Sequence, residues 1–211
     1  MMTRKLIIIG GGGHARVLKS ILDTAKGTKI LGYTDLKQNR DMGIKYLGND
    51  DIIEKYSVKD ILLVNGIGSI DLPNKRKKIY ERFKSRGYTF YSIIHPGALV
   101  SSGVKLGEGV QVMAGVVINT GAVIGNNVII NTSASIDHDC KIGSHTHIAP
   151  GVTFSGNIKL GETCHIGIAT SAIQGVKIGD QVLVGAGSVI INDISSGKRI
   201  FGNPAKVRKI R

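Results

Sequence analysis

The chain has few cysteines, few aromatic residues and no long apolar run, and each scarcity removes a class of protein. Two cysteines in 211 residues are too few for a disulfide framework. Both Cys140 and Cys164 fall on one position of a repeat, as small core residues in a reduced compartment do. No apolar stretch approaches the roughly 18 residues that a membrane-spanning helix needs. The N-terminus also lacks a signal-peptide cleavage pattern, so a cytoplasmic protein with no membrane span is expected. Aromatic residues are 5% of the chain, and no nucleic-acid motif accompanies the net charge of +13, so nucleic acid is not an expected partner. Acidic residues are scarce where the charge is concentrated. Residues 1–96 carry 18 Lys and Arg against 9 Asp and Glu, residues 97–194 carry 4 against 6, and the tail from Ser195 carries 6 against none. The cluster Lys75, Arg76, Lys77 and Lys78 reads as a solvated helix face after Pro73. The basic ends suit small polyphosphate ligands.

What the chain does have is a period of six. From Leu99 to Ile194 it divides without insertion into sixteen six-residue blocks, such as SIDHDC, KIGSHT and HIAPGV. The second position is always apolar, from Val100 and Leu106 to Val184 and Ile190, and the sixth is small or branched. This is the signature of a parallel β-helix. Three blocks make one triangular coil, second-position side chains stack in a dry column, and positions three to five turn the corners.

The residues before the repeat read as a small α/β unit. Leu6–Ile9 is an apolar strand, Gly10–Gly13 a glycine loop, and His14–Lys26 a helix with Val17, Leu18, Ile21 and Leu22 on one face. Strands over Lys29–Thr34 and Ile61–Val64, a helix near Lys75–Ser85 and an extended stretch Tyr88–Ile94 follow. Strand, glycine loop and helix in that order imply a parallel, Rossmann-like half-sheet. The predicted division is therefore residues 1–96, Rossmann-like, and 97–211, a β-helix with a basic tail. Gly10-Gly11-Gly12-Gly13-His14-Ala15 satisfies G-x-G-x-x-A, and Asp35 stands near the distance at which a dinucleotide fingerprint places an acid. Such a loop serves a dinucleotide, a nucleotide sugar or a purely structural turn. With one mononucleotide half present, a ligand with a single nucleoside fits the space best.

Histidines carry the remaining chemistry. His138 is fourth in its block, at a corner, pointing out between Asp137 and Asp139. An imidazole beside a carboxylate suits a general base near neutral pH, and an ordinary exposed corner histidine is the alternative. His145 and His147 are the next candidates for a base. His147 and His165 are first in blocks one coil apart and should stack at about 4.8 Å. A metal is not expected there, because the histidine pair five residues apart of the gamma-class carbonic anhydrases is missing.

The repeat, Gly10–Ala15, the stretch Asn131–Asp139 and Gly202-Asn203-Pro204-Ala205-Lys206 together resemble the sialic acid O-acetyltransferase-like sugar acetyltransferases. Among these, the chain is most similar to the N-acetyltransferases of nucleotide-linked 4-amino sugars. The likeness runs over essentially the whole chain. It implies a left-handed β-helix, a homotrimer with sites between subunits, acetyl-CoA as co-substrate and no metal. His138 would be the proton acceptor, with Asp139, where the family often has Glu, raising its basicity. His147, Ile168 and Ala186 would contact acetyl-CoA, Ala186 standing where a relative has glycine. Gly12, Gly13, His14, Asp35 and Gly68 would hold the nucleotide-linked amino sugar. The tail residues Lys198, Arg199, Lys206, Arg208, Lys209 and Arg211 would face the coenzyme A phosphates. The runner-up is O-acetylation of sialic acid or another sugar.

Overall fold

The structure is a computed structural model that describes residues 3–207. The chain divides into two compact units, one of residues up to Gly68 together with Lys75–Ile93, the other of Ser69–Asn74 together with the residues from Ile94 onward.

In the first unit, strands β1 (Arg4–Ile9), β2 (Thr28–Thr34), β3 (Tyr46–Gly48) and β4 (Ile61–Asn65) form one parallel sheet in the order β3-β2-β1-β4. The short β3 has no apolar run to announce it. Helix α1 (Gly13–Thr24) links β1 to β2, and α2 (Asn74–Lys84) follows β4. The run Leu6–Ile9 is fully buried, as expected for a central parallel strand with both faces covered. Helix α1 buries Ala15, Leu18, Ile21 and Leu22. Val17 was expected on that face but is 47% exposed, because it lies about 100° around the helix from Leu18.

A second correction concerns the basic cluster on α2. Arg76 is fully buried rather than solvated. Its Nη1 donates to the carbonyls of Asn65 at 2.7 Å and Ile67 at 2.9 Å, and the Asn65 amide returns a bond to the Arg76 carbonyl. The side chain therefore pins the bend that follows β4.

The second unit is a left-handed parallel β-helix. Its strands are two residues long and pair with the block three places on, so that Val123 faces Lys141 and Lys141 faces Lys159. The second-position column from Val112 to Ile190 is buried. In the first fifteen blocks the fifth residue has positive φ, whether glycine (Gly115, Gly121, Gly151) or not (Asn127, Asp139, Ala169). A left-handed residue at each corner reverses the chain sharply. Non-glycine side chains accept that region at a cost because stacking over-determines the backbone.

The prism continues past the last clean block with its spacing changed. Ile194 bridges Ile178, and Arg199 pairs with Leu183, so partners that were eighteen residues apart become sixteen apart. Ile200 is buried as the next inward residue. The tail then turns back, Phe201 pairing antiparallel with Lys206. Of the basic tail residues, Arg208, Lys209 and Arg211 lie outside the described residues.

Candidate functional site

Three groups of residues carry chemistry, and each is built by its local fold. The first is the corner at His138. The left-handed backbone of Asp139 (φ 60°) swings its carboxylate back, so that Oδ2 lies 2.9 Å from His138 Nδ1. The hydrogen bond that the ring donates to Asp139 raises the imidazole above its ordinary pKa, partial desolvation opposes it, and the charge of Asp137 adds to the rise. Asp137 is itself held low, first by the Asn119 amide at 2.8 Å and then by the His138 N–H at 2.8 Å.

Two glycines on neighbouring rungs make room for this pair. A Cβ on Gly156 would sit 2.5 Å from His138 Cε1 and Nε2, and one on Gly121 would collide with the Asp139 carboxylate. Sequence reading passed over both, although stacking one coil apart places Gly121 below Asp139 and Gly156 above His138. With Nδ1 held by Asp139, Nε2 is the nitrogen left to exchange a proton.

The second group lines a cleft of about 470 Å³ on another face of the prism. His147, Ile168 and Ala186 come together there with Ser69, Asn131, His165 and Phe201. His147 and His165 are paired across adjacent strands as their spacing predicts, with ring centroids 5.0 Å apart and the rings edge-on. Both are buried, unlike the lysines that hold the same block position on the next face. Ser69 accounts for this. Its Oγ lies 2.9 Å from His147 Nδ1 and 3.5 Å from His165 Nδ1, and its carbonyl is 3.1 Å from His147 Nδ1. Asn131 Nδ2 is 3.1 Å from His147 Nε2. Burial pushes the His165 pKa down, against a smaller upward pull from Asp71. Sequence reading gave Ser69 no part, since it lies outside the repeat.

His145, the alternative base, is buried with Nδ1 3.0 Å from Asn127 Nδ2. Within one chain, His138 closes one face of the prism, while Ile168 and Ala186 close another, and His138 does not line the cleft.

The third group is the glycine loop of the first unit. Gly11 N–H donates to Asp35 Oδ2 at 2.7 Å, Leu36 N–H to Asp35 Oδ1 at 2.7 Å, and Asn39 Nδ2 to the Gly11 carbonyl at 2.7 Å. Asp35 thus shapes the loop. A Cβ on Gly12 or Gly13 would meet nothing within 4 Å, and no side chain caps α1. Open space at a helix N-terminus suits a phosphate. Gly68 comes close to this loop, since a Cβ there would lie 3.1 Å from His14 Cβ.

Neither cysteine competes for the chemistry. Cys140 and Cys164 are buried, with their thiols donating to the carbonyls of Ser155 and Gly179. Burial raises both pKa values, that of Cys164 to about 11. Among the described residues, no three His, Cys, Asp or Glu side chains are placed to share a metal ion.

The comparisons with known proteins bear on the family and the fold. Residues 5–83 match the PglD N-terminal domain, and residues 121–156 match the bacterial transferase hexapeptide family. The chain is 32% identical over 115 residues to the UDP-N-acetylbacillosamine N-acetyltransferase of Bacillus subtilis (strain 168). That match spans 53% of this chain and 52% of the relative, about half the length of each. The acetyltransferase domain of PglB from Neisseria gonorrhoeae FA1090 is 35% identical with a TM-score of 0.89, over 97% of this chain and 100% of that one. The same domain has been solved with acetyl coenzyme A. PerB from Caulobacter crescentus, in complex with CoA and GDP-perosamine, is 35% identical with a TM-score of 0.88 over 97% of both chains.

Proposed function

Because the chain belongs to the hexapeptide-repeat sugar acetyltransferases, we propose that it transfers acetyl from acetyl-CoA to the 4-amino group of a nucleotide-linked amino-deoxy sugar. The observation that carries this reading is the exposed His138–Asp139 pair, 2.9 Å apart, with Nε2 free to take a proton. Complexes of similar proteins with acetyl coenzyme A and with GDP-perosamine support the two substrate classes.

In this mechanism the sugar amine attacks the thioester carbonyl carbon. As the N–C bond forms, His138 Nε2 takes a proton from the nitrogen, and the imidazolium is stabilised by Asp139. Collapse of the tetrahedral intermediate breaks the C–S bond, and the proton passes to the departing sulfur, giving free coenzyme A and the acetamido sugar. The transfer is direct, because the thiols of Cys140 and Cys164 are buried and held protonated.

The glycine loop would hold the nucleotide through Gly12, Gly13 and His14, with Asp35 and Gly68 shaping the site, so the first unit serves as the nucleotide-sugar domain. His147, Ile168 and Ala186 would line the path of acetyl-CoA. Since His138 and that cleft occupy different faces of one chain, the reading completes each site from two subunits of a homotrimer. A cytoplasmic location is part of this reading; among the described residues no helix is long and apolar enough to cross a membrane. The test is incubation with acetyl-CoA and UDP-, dTDP- and GDP-linked 4-amino-4,6-dideoxy sugars, followed by mass spectrometry. Acetylation of one of them is expected. Acetylation of free sialic acid alone would replace this reading with the O-acetyltransferase one.

A further inference from the structure

The four basic residues of the repeat, Lys105, Lys141, Lys159 and Lys177, all stand on one face of the prism, each beginning a strand of the same sheet. The last three are direct partners on successive coils, about 4.8 Å apart. They are exposed, and among the described residues none of the three forms an ion pair. Like charges directly opposite each other cost stability, so packing gives no reason for the column. An open groove of about 820 Å³ runs along it. The height of the column ties it to the candidate site. His138, Lys141 and His147 belong to one coil, Lys159 and Ile168 to the next, and Lys177 and Ala186 to the one after, whereas the coil before carries Val123 in place of a lysine. The lysines thus occupy the same three coils as the proposed path of acetyl-CoA. His138 stands on the edge where the lysine face begins, three residues before Lys141, and the cleft opens on the face that follows. A site that joins the His138 edge of one subunit to the cleft of another brings the start of the lysine face alongside that cleft, and in a trimer with its axis parallel to the prisms equal coils stand at equal height.

We propose that Lys141, Lys159 and Lys177 of one subunit flank the acetyl-CoA cleft of its neighbour and bind the phosphates of coenzyme A. The proposal rests on the two-subunit acetyl-CoA site proposed above, and adds to it the groups that select a phosphorylated donor. His138 sets the thioester at the first of the three coils. The path through His147, Ile168 and Ala186 climbs from there, so the phosphates fall toward the Lys159 and Lys177 end of the column. A lysine ammonium is a point charge on a flexible stem, and it meets a phosphate without a fixed geometry.

Steady-state kinetics of the full-length protein with two donors tests this, acetyl-CoA and S-acetylpantetheine, which carries the same thioester and no phosphate. Lys159→Ala and Lys177→Ala are each expected to raise the KM for acetyl-CoA about 3–10-fold, the worth of one charged hydrogen bond at an exposed site, and Lys141→Ala less. The kcat/KM for S-acetylpantetheine should stay unchanged in all three. Each variant removes a like charge from its neighbours, so the fold is kept. Lys105→Ala, on the same face but two coils before Lys141, should alter neither donor. Equal loss with both donors, no loss with either, or the same loss in Lys105→Ala overturns the proposal. Refolding His138→Ala chains together with Ala186→Trp chains then tests which subunit supplies the lysines. The recovered sites take their base from the Ala186→Trp chain, so Lys159→Glu with Lys177→Glu should raise the recovered KM for acetyl-CoA when carried by that chain and not when carried by the His138→Ala chain. The reverse result overturns the proposal. If no acceptor is acetylated, the functional reading fails separately, and calorimetric binding of coenzyme A against pantetheine takes the place of KM.

Discussion

At the scale of single residues, the proposed base His138 and the two glycines that make room for it and Asp139 give the sharpest predictions. His138→Ala should lower kcat by about 10²–10⁴-fold while leaving the acceptor KM nearly unchanged, as the loss of a general base does. Steady-state kinetics with both substrates measures it. Asp139 raises the His138 pKa, so the free base appears, and kcat/KM climbs, only as pH passes that raised value. Asp139→Asn removes the carboxylate. The rise should therefore move to lower pH, and the plateau should fall because the imidazole is less basic, which a pH–rate profile of the variant against the wild type reads. Gly156→Ala puts a methyl where the His138 ring lies. It should reduce kcat through displacement of the ring, with the fold and the acetyl-CoA affinity kept. Normal turnover in that variant would remove Gly156 from the account.

At the scale of elements, the bend after β4 depends on a charge taken out of water. Burial lowers the pKa of Arg76, yet its guanidinium remains the donor to two main-chain carbonyls. Arg76→Ala should destabilise the protein by about 3 kcal/mol, from a cavity and two carbonyls left unsatisfied, and chemical denaturation measures the loss. An exposed lysine of the same cluster, Lys75→Ala, should shift stability by less than about 0.5 kcal/mol in the same assay. The contrast separates a residue that shapes the chain leading to Gly68 from one that only solvates a helix.

At the scale of the whole molecule, the separation of His138 from the His147 cleft predicts an obligate assembly. Sedimentation equilibrium should give a trimer, and a fully active monomer would contradict it. Mixing supplies a stricter measurement. His138→Ala and Ala186→Trp chains, each inactive alone, should regain part of the wild-type rate when unfolded and refolded together, because some sites then combine an intact base with an intact cleft. No recovery would mean that one chain builds each site by itself.

The repeat was legible because in a stacked coil the tertiary neighbour of a residue sits at a fixed sequence distance, so periodicity is already tertiary information. The prism, its dry column, the His147–His165 pair and the inward cysteines all followed from it. The His138–Asp139 pair was legible because its members are adjacent in the chain, and the glycine loop because its conformation is local. The remainder depended on segments brought together without a period. Ser69 on His147, Arg76 beneath the bend and the short strand β3 are contacts that no spacing encodes. Where the rung shortened from eighteen residues to sixteen, the phase was lost, and with it the sign that Arg199–Phe201 continues the sheet. Sequence alone determined the architecture and the candidate base, because those rest on local or periodic contacts; the tertiary structure alone decided that Ser69 contacts His147 and which cation is buried, because those rest on aperiodic packing.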